Sequence, residues 1–478
     1  MCGISLGDQR RNQRAIDMMR ACILNPGKRF GQIFPSRYQV KGAYRFIDNE
    51  AIDPKQLSQA LWNAGARACI GLKVVYAVHD TTDVSYSHRP HSLEGAGPIG
   101  KQAPWGYGFY LHSSLALRPD GLALGFLHHE LWARDPNDKG KKYSRHQRPI
   151  EEKESFKWIR GALESQAAWQ RISGLVANSI RFIHIMDREG DVFEVMDAIM
   201  HSGHGLIIRA AQDRCLGEEN IRLWSYMTSR PIGGRTTVRV RLRPNRNTQK
   251  VSSKRKTRKT SSNPNVGAPS SEPKVRDATC GIRWSSIILK PPRPCRQKPA
   301  IHLYAVYIQE INPPAGVDPV EWMLLTTEPV ETFEDAMQII GAYRLRWRIE
   351  DFHLILKSGC RIEKVQFRTR DRIERMLPFL MATALRVLTL RHVAETNPDA
   401  PSTEVFSPTE TQALITYVCH HFNTQVSQLS VSEALFWIAR IGGFLGRKCD
   451  GHPGVRTLWQ GCRDFQLIAT MYQAMKDT

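Results

Sequence analysis

Up to about residue 70 the apolar positions recur at helical spacing in short segments whose other face is basic. Arg10, Arg11, Arg14, Arg20, Lys28, Arg29, Arg37, Lys41 and Arg45 meet few acids there. A compact helical module with a positive surface is expected. From Leu72 the pattern changes to strands. Leu72 to His79 is rich in β-branched and aromatic residues and ends at Asp80-Thr81-Thr82-Asp83. Two further runs, Gly106 to Leu117 and Leu122 to Trp132, flank Pro119-Asp120-Gly121, which marks the turn of an antiparallel hairpin.

A helical pattern from Glu154 to about Ile172 follows, then a buried-strand run Phe182 to Met186 that ends at Asp187, a helix near Val192 to Met200, and a strand at Leu206 to Arg209. This alternation predicts the parallel half of a mixed sheet. It stops after residue 212. Strand-like segments at Thr236 to Arg243 and Ile301 to Ile311 surround a stretch of Ser, Thr, Asn, Pro, Lys and Arg from Asn245 to Asp277. An inserted β-rich subdomain over 212–320 with a disordered basic loop at 245–277 is expected. Strand character returns at Trp322 to Thr327, and one long helix is expected from Glu331 to Ser358, ended by Gly359. From Ile373 onward the pattern is helical, including Met376 to Ala394 and Val431 to Arg440. The expected organisation is a helical module at 1–70, an α/β core at 71–372 carrying the insertion, and a helical domain at 373–478 suited to assembly.

Composition narrows the partners. The chain of 478 residues carries 67 Lys and Arg against 46 Asp and Glu, a formal charge of +21, and its pI is about 9.7. A polyanion is implied, and nucleic acid is the commonest one, because each neutralised phosphate releases a condensed counterion. The longest apolar stretch, Met376 to Leu385, contains Pro378 and is too short to span a bilayer. The first residues lack the apolar core of a signal peptide, so a cytoplasmic protein is expected. The ten cysteines form no Cys-x-x-Cys pair, which argues against disulfides and structural zinc. Cys419-His420-His421 reads more readily as a core cysteine beside exposed histidines than as a metal cluster.

Candidate chemistry lies on the expected long helix. At 100° per residue Tyr343, Arg346, Glu350 and Lys357 fall within about 60° of one another, opposite Leu345, Ile349, Phe352 and Leu356. A lone Glu or Lys would be read as part of a solvated face. Asp80 and Asp187, however, each follow an apolar strand, the usual position for site residues in an open sheet. Taken singly they read as turn or capping residues; with Glu350 they supply three carboxylates. Such a set in a strongly basic protein suits a pair of hard divalent cations and phosphodiester chemistry.

Tyr343, Arg346, Glu350 and Lys357 reproduce the spacing Tyr-x2-Arg-x3-Glu-x6-Lys, which arises by chance about 0.003 times in a chain this long. On these residues the sequence resembles the bacterial DDE transposases of the insertion-sequence-four group, the Tn5-like enzymes among them. Leu6-Gly7-Asp8-x-Arg10-Arg11 and Gly42 to Ile47 resemble the family's end-recognition domain, with Arg10, Arg11 and Arg45 as DNA contacts. Asp80-Thr81-Thr82 and Asp187-Arg188-Glu189 resemble the motifs of its two catalytic aspartates. Gly442-Gly443 and Thr457-Leu458-Trp459 resemble its dimerisation region.

The resemblance implies an α/β fold: a ribonuclease-H-like mixed-sheet catalytic core with the inserted β-rich subdomain, an N-terminal helical DNA-binding domain and a C-terminal helical domain. It also implies that Asp80, Asp187 and Glu350 bind two Mg²⁺ ions, with Mn²⁺ as a substitute, and that Tyr343, Arg346, Lys357 and Arg209 contact phosphates. Trp322 would stack a flipped base; the alternative is a core tryptophan. The implied activity is cut-and-paste transposition through a DNA hairpin, by a homodimer acting on double-stranded transposon ends and target DNA at the bacterial nucleoid, with no membrane and no small-molecule substrate. A catalytically idle derivative acting as a regulator or inhibitor, and a non-transposing nuclease, remain as other readings.

Overall fold

A computed structural model describes residues 4–89, 92–100, 106–136, 148–174, 180–217, 221–241, 275–447, 450 and 453–477. The chain forms two compact units, Met1–Ile185 together with Leu345–Thr478, and Met186–Arg344. Most of the basic stretch expected as a loop at 245–277 lies outside the described residues.

In the first unit Asp8, Ser36 and Asp53 start α1 (Gln9–Leu24), α2 (Arg37–Asp48) and α3 (Pro54–Ala68), each accepting a first-turn backbone N–H through its side chain. Then come β1 (Val74–Ser85), β2 (Gly97–Ile99), β3 (Gly106–Leu117), β4 (Ala123–Trp132), α4 (Phe156–Ser173) and β5 (Arg181–Met186). β1 is antiparallel to β3 and parallel to β5, while β2 and β4 pair with successive parts of β3. The sheet is therefore mixed, as the alternation of strands and helices predicts. α3 crosses β4 closely: a Cβ on Gly65 would stand 2.4 Å from the Phe126 carbonyl oxygen. Glycine is what permits that approach.

The second unit holds α5 (Phe193–His201), β6 (Gly205–Arg209), β7 (Cys215–Leu216), β8 (Ile221–Arg222), α6 (Leu223–Ser229), β9 (Gly234–Arg241), β10 (Val275–Leu289), β11 (Ile301–Glu310), β12 (Glu321–Thr326) and α7 (Phe333–Arg344). Its strands run in the order β6-β12-β11-β10-β7-β8, with β9 also on β10. The insertion is β-rich as expected, although β10 begins at Val275, inside the stretch read from composition as disordered.

The chain returns to the first unit through α8 (Trp347–Leu354), a π-helical turn at Ile355–Gly359, and then α9 (Arg370–Thr396), α10 (Pro408–His421), α11 (Val431–Ile441) and α12 (Val455–Lys476). α10 and α11 open with reciprocal capping boxes, Ser407 with Glu410 and Ser430 with Glu433. Leu414, Val418, Leu435, Ile438, Leu458 and Phe465 join these helices in one core.

Two expectations need correction. The single helix from Glu331 to Ser358 is interrupted at Leu345-Arg346, where α7 ends before α8 begins. Tyr343 therefore stands on α7 and Glu350 on α8. Asp80 also does not end its strand. β1 continues to Ser85, and Asp80 lies within the ladder opposite Ser113.

Candidate active site

α8 is positioned against the sheet by its apolar face. Ile349 and Phe352 on α8 and Leu356 on the π-helical turn after it are fully buried, and the Phe352 ring lies 4.6 Å from that of Phe126 on β4. These are three of the four residues expected on the core stripe. Packing them inward turns Arg346, Glu350 and His353 to where β1 presents Asp80. The Arg346 guanidinium donates to the Glu350 carboxylate and stands 4.0 Å from Asp80 Oδ2. One cation thus serves two carboxylates far apart in sequence.

His353 completes the cluster, with Nδ1 at 3.6 Å from the same Asp80 oxygen. Its Nε2 is buried and makes no hydrogen bond among the described residues. Burial pushes the Asp80 carboxyl up, but the His353 contact, the Arg346 charge and the Thr81 backbone N–H together outweigh it and hold the group below its usual value. Asp80 is therefore an anion at neutral pH. Lys357, on the π-helical turn, reaches back to Asp83 on β1 with Nζ at 3.0 Å from the carboxylate.

In the second unit Arg209, Trp322 and Tyr343 meet. The Arg209 guanidinium lies 5.8 Å from the Trp322 ring centroid and donates to the Glu321 carbonyl at 2.9 Å. The Tyr343 ring stands edge-on to Trp322 with centroids 5.4 Å apart. Tyr343 is buried, and Trp322 is half-buried. Asp187 follows β5 and caps the short turn Arg188–Gly190, accepting from the Glu189 N–H at 2.8 Å. At the N-terminus Arg10 and Arg45 are exposed, and Arg11 bonds the Leu6 carbonyl at 3.5 Å.

The structure thus gathers Asp80, Arg346 and Glu350 in one unit, and Arg209, Trp322 and Tyr343 in the other. His353 and Asp83 were not singled out from the sequence. The spacing from Glu350 to His353, one helical turn, was the available signal, but a single His on a helix carries no pattern of its own. Among the described residues no three His, Cys, Asp or Glu side chains stand close enough to hold a metal ion. Asp80 and Glu350 are nonetheless oxygen donors of the kind a hard divalent cation takes, and the Arg346 guanidinium supplies positive charge to both.

Comparison with known families settles the class. Residues 181–385 match the transposase DDE domain, residues 1–52 match transposase DNA-binding, and residues 382–475 match the Tn5 transposase dimerisation domain. The chain belongs to the Tn5-like DDE transposases. A DDE transposase has a ribonuclease-H-like core, belongs to a family of DNA-cutting enzymes and uses divalent metal ions. Among solved structures this transposase is similar to a cryo-EM structure of the piggyBac transposase synaptic complex with hairpin DNA. That match has 8% identity and a TM-score of 0.35, over 82% of this chain and 68% of the other.

Proposed function

We propose that this transposase cuts and joins transposon ends by metal-dependent hydrolysis and transesterification, in a cut-and-paste reaction that passes through a DNA hairpin. The observation that carries this reading is the sharing of one guanidinium by Asp80 and Glu350, with Asp80 kept ionised in a partly buried setting. Asp187 is the third carboxylate of the proposal. Asp187 directly follows β5, within the transposase DDE match. Divalent ions held by these carboxylates, Mg²⁺ or Mn²⁺ and two per site, would activate the attacking oxygen and stabilise the leaving one.

The chain's own residues then have distinct tasks. Arg346 and Lys357 are bound to carboxylates in this structure and would turn to DNA phosphates, with Arg209 and Tyr343 as further backbone contacts. Such contacts fix the scissile strand in line with the attacking hydroxyl. Trp322 would stack the base that must leave the helix before a hairpin can close. Arg10, Arg11 and Arg45 lie within the DNA-binding match and would hold the transposon end. Pairing of two ends by a homodimer is supported by α12, which leaves Met471 and Met475 exposed one turn apart inside the dimerisation match.

The test is incubation of the protein with Mg²⁺ and DNA carrying its element's ends, resolved on a denaturing gel. Nicks, hairpins and joined products are expected in succession. End binding without any nick would overturn the catalytic reading in favour of a regulatory derivative, and nicks that never join would indicate a plain nuclease.

A further inference from the structure

Two open cavities of about 420 and 460 Å³ adjoin each other in the first unit, and Arg361 lines both. One wall is the segment around Gly27 and Lys28, between α1 and α2; the opposite wall is α12, through Arg456, Trp459 and Arg463. Residues 1–52 are the DNA-binding match and residues 382–475 the dimerisation match, so the cleft joins two segments of different assignment. No residue of the Asp80, Arg346, Glu350 and His353 cluster lines it.

Arg361 is an unusual residue for its backbone. It has φ +58° and ψ +38°, the left-handed region, directly after the π-helical turn and Cys360. That position at a helix end favours glycine, and a side chain with a Cβ is strained there. The Arg361 side chain makes no hydrogen bond or ion pair among the described residues, so no internal contact explains why an arginine occupies the place. The one acid lining the cleft, Asp464, is held by Arg463 at 2.7 and 2.9 Å. Lys28, Arg361 and Arg456 therefore leave it strongly positive.

The floor is rigid. Trp459 is wedged between the two sides: a Cβ on Gly27 would stand 3.1 Å from its ring, and one on Gly359 3.2 Å. Its Nε1 is buried with no hydrogen-bond partner among the described residues. A closely packed indole, a strained arginine with no side-chain partner among the described residues and cations spread across two adjoining cavities suit an extended polyanion rather than a single small anion. We infer that this cleft binds the phosphodiester backbone of duplex DNA, with Arg361 at its centre, so that the dimerisation helix α12 itself touches DNA. The inference rests on the reading of the chain as a DNA-binding transposase.

Fluorescence anisotropy of a labelled duplex, titrated with the full-length protein over a series of salt concentrations, tests it, alongside thermal melts. Arg361→Gly should keep or raise Tm, because glycine relieves the left-handed strain, while lowering affinity and flattening the slope of log K against log salt by about 0.9, the share of one neutralised phosphate. Arg456→Ala, on an exposed side chain, should weaken binding in the same way at unchanged Tm. An unchanged slope for Arg361→Gly overturns the proposal, as does weaker binding that comes with a lower Tm and is not reproduced by Arg456→Ala. Inorganic phosphate at matched ionic strength forms the second arm. If it raises the Tm of the parent protein but not of Arg361→Gly, while duplex binding is the same for both, the cleft takes free phosphate and the DNA assignment fails. Failure of the parent protein to bind any duplex would instead defeat the reading on which the inference stands.

Discussion

Arg346 binds Glu350 and faces Asp80, which makes it both a stabiliser of the carboxylates and a competitor for them. Removing any of the proposed ligands should separate cutting from binding. Asp80→Ala, Asp187→Ala or Glu350→Ala should each abolish Mg²⁺-dependent cleavage while duplex affinity stays near that of the parent, and substantial cleavage by any one of them would sink the assignment. Arg346→Gln should act in two directions. Without the guanidinium, Mn²⁺ should bind the free protein about 10-fold more tightly, since a positive charge that opposes the ion by about 1.4 kcal/mol is gone. Duplex affinity should fall in the same variant. Calorimetric titration with Mn²⁺ decides: weaker metal binding would show that Arg346 organises the carboxylates and does not compete for them. At this scale the sequence was most legible where several residues share a spacing, as in Tyr343, Arg346, Glu350 and Lys357. Asp83 and His353 were hidden because only the packing of α8 on β1 gives them their partners, Lys357 and Asp80.

Along single elements, what could be read from the sequence depended on whether the cause is local. Caps such as Asp8, Ser407 and Ser430 act within one turn, and the strand runs carry their own alternation. The break at Leu345-Arg346 has neither Pro nor Gly beside it, so the apolar pattern runs straight through it. β10 was missed for a similar reason, since its first residues continue a polar, basic composition. A layer of histidines in the sheet likewise leaves no local pattern in the sequence. His79 on β1, His112 on β3, His128 and His129 on β4 and His184 on β5 are all buried. His79 is within 2.9 Å of His184 and 2.8 Å of Ser114, Thr81 is 2.9 Å from His112, and Trp62 donates to His129 at 2.9 Å. Burial lowers the basicity of His79, His112, His128 and His129, to about 3 for His128 and about 3 for His129. An unfolded histidine accepts a proton near pH ~6.5, whereas these folded ones do so only at much lower pH. Their contribution to stability is therefore complete above about pH 6.5 and is lost as pH falls toward the folded value, by about 1.4 kcal/mol per unit for each histidine. The urea midpoint should drop steeply from about pH 6.5 to about pH 5, and His128→Gln should make that slope shallower. A midpoint independent of pH over this interval would show that the layer is protonated without cost.

For the whole molecule, the excess of positive charge and the succession of helical, mixed and helical segments were legible, whereas the partition into units was not. The N-terminal helices and the C-terminal helices share one compact unit, tied by the buried Arg375 of α9, which donates to the Ile52 and Ile47 carbonyls at 2.8 and 3.2 Å. Contacts between segments so distant in sequence leave no trace in local periodicity. The same reasoning applies to assembly, because a helix face that is apolar and exposed reads from sequence like any core stripe. On α12 Met471 is 60% exposed and Met475 77%, while Phe465 and Ala469 on the same helix are buried in the unit's own core. The exposed face is thus left over after the core is satisfied. Covering one such side chain contributes roughly 1.5–3 kcal/mol, and each residue occurs twice in a symmetric pair. Met471→Glu should therefore weaken the dimer by about two to four orders of magnitude with little change in Tm, since most of the Met471 side chain is exposed in the monomer. Sedimentation of the protein with a single-end duplex should then show one protomer per end where the parent shows paired ends. Binding of individual ends should persist and joined products should disappear. Paired complexes that survive both Met471→Glu and Met475→Glu would place the dimer contact elsewhere on the C-terminal helices.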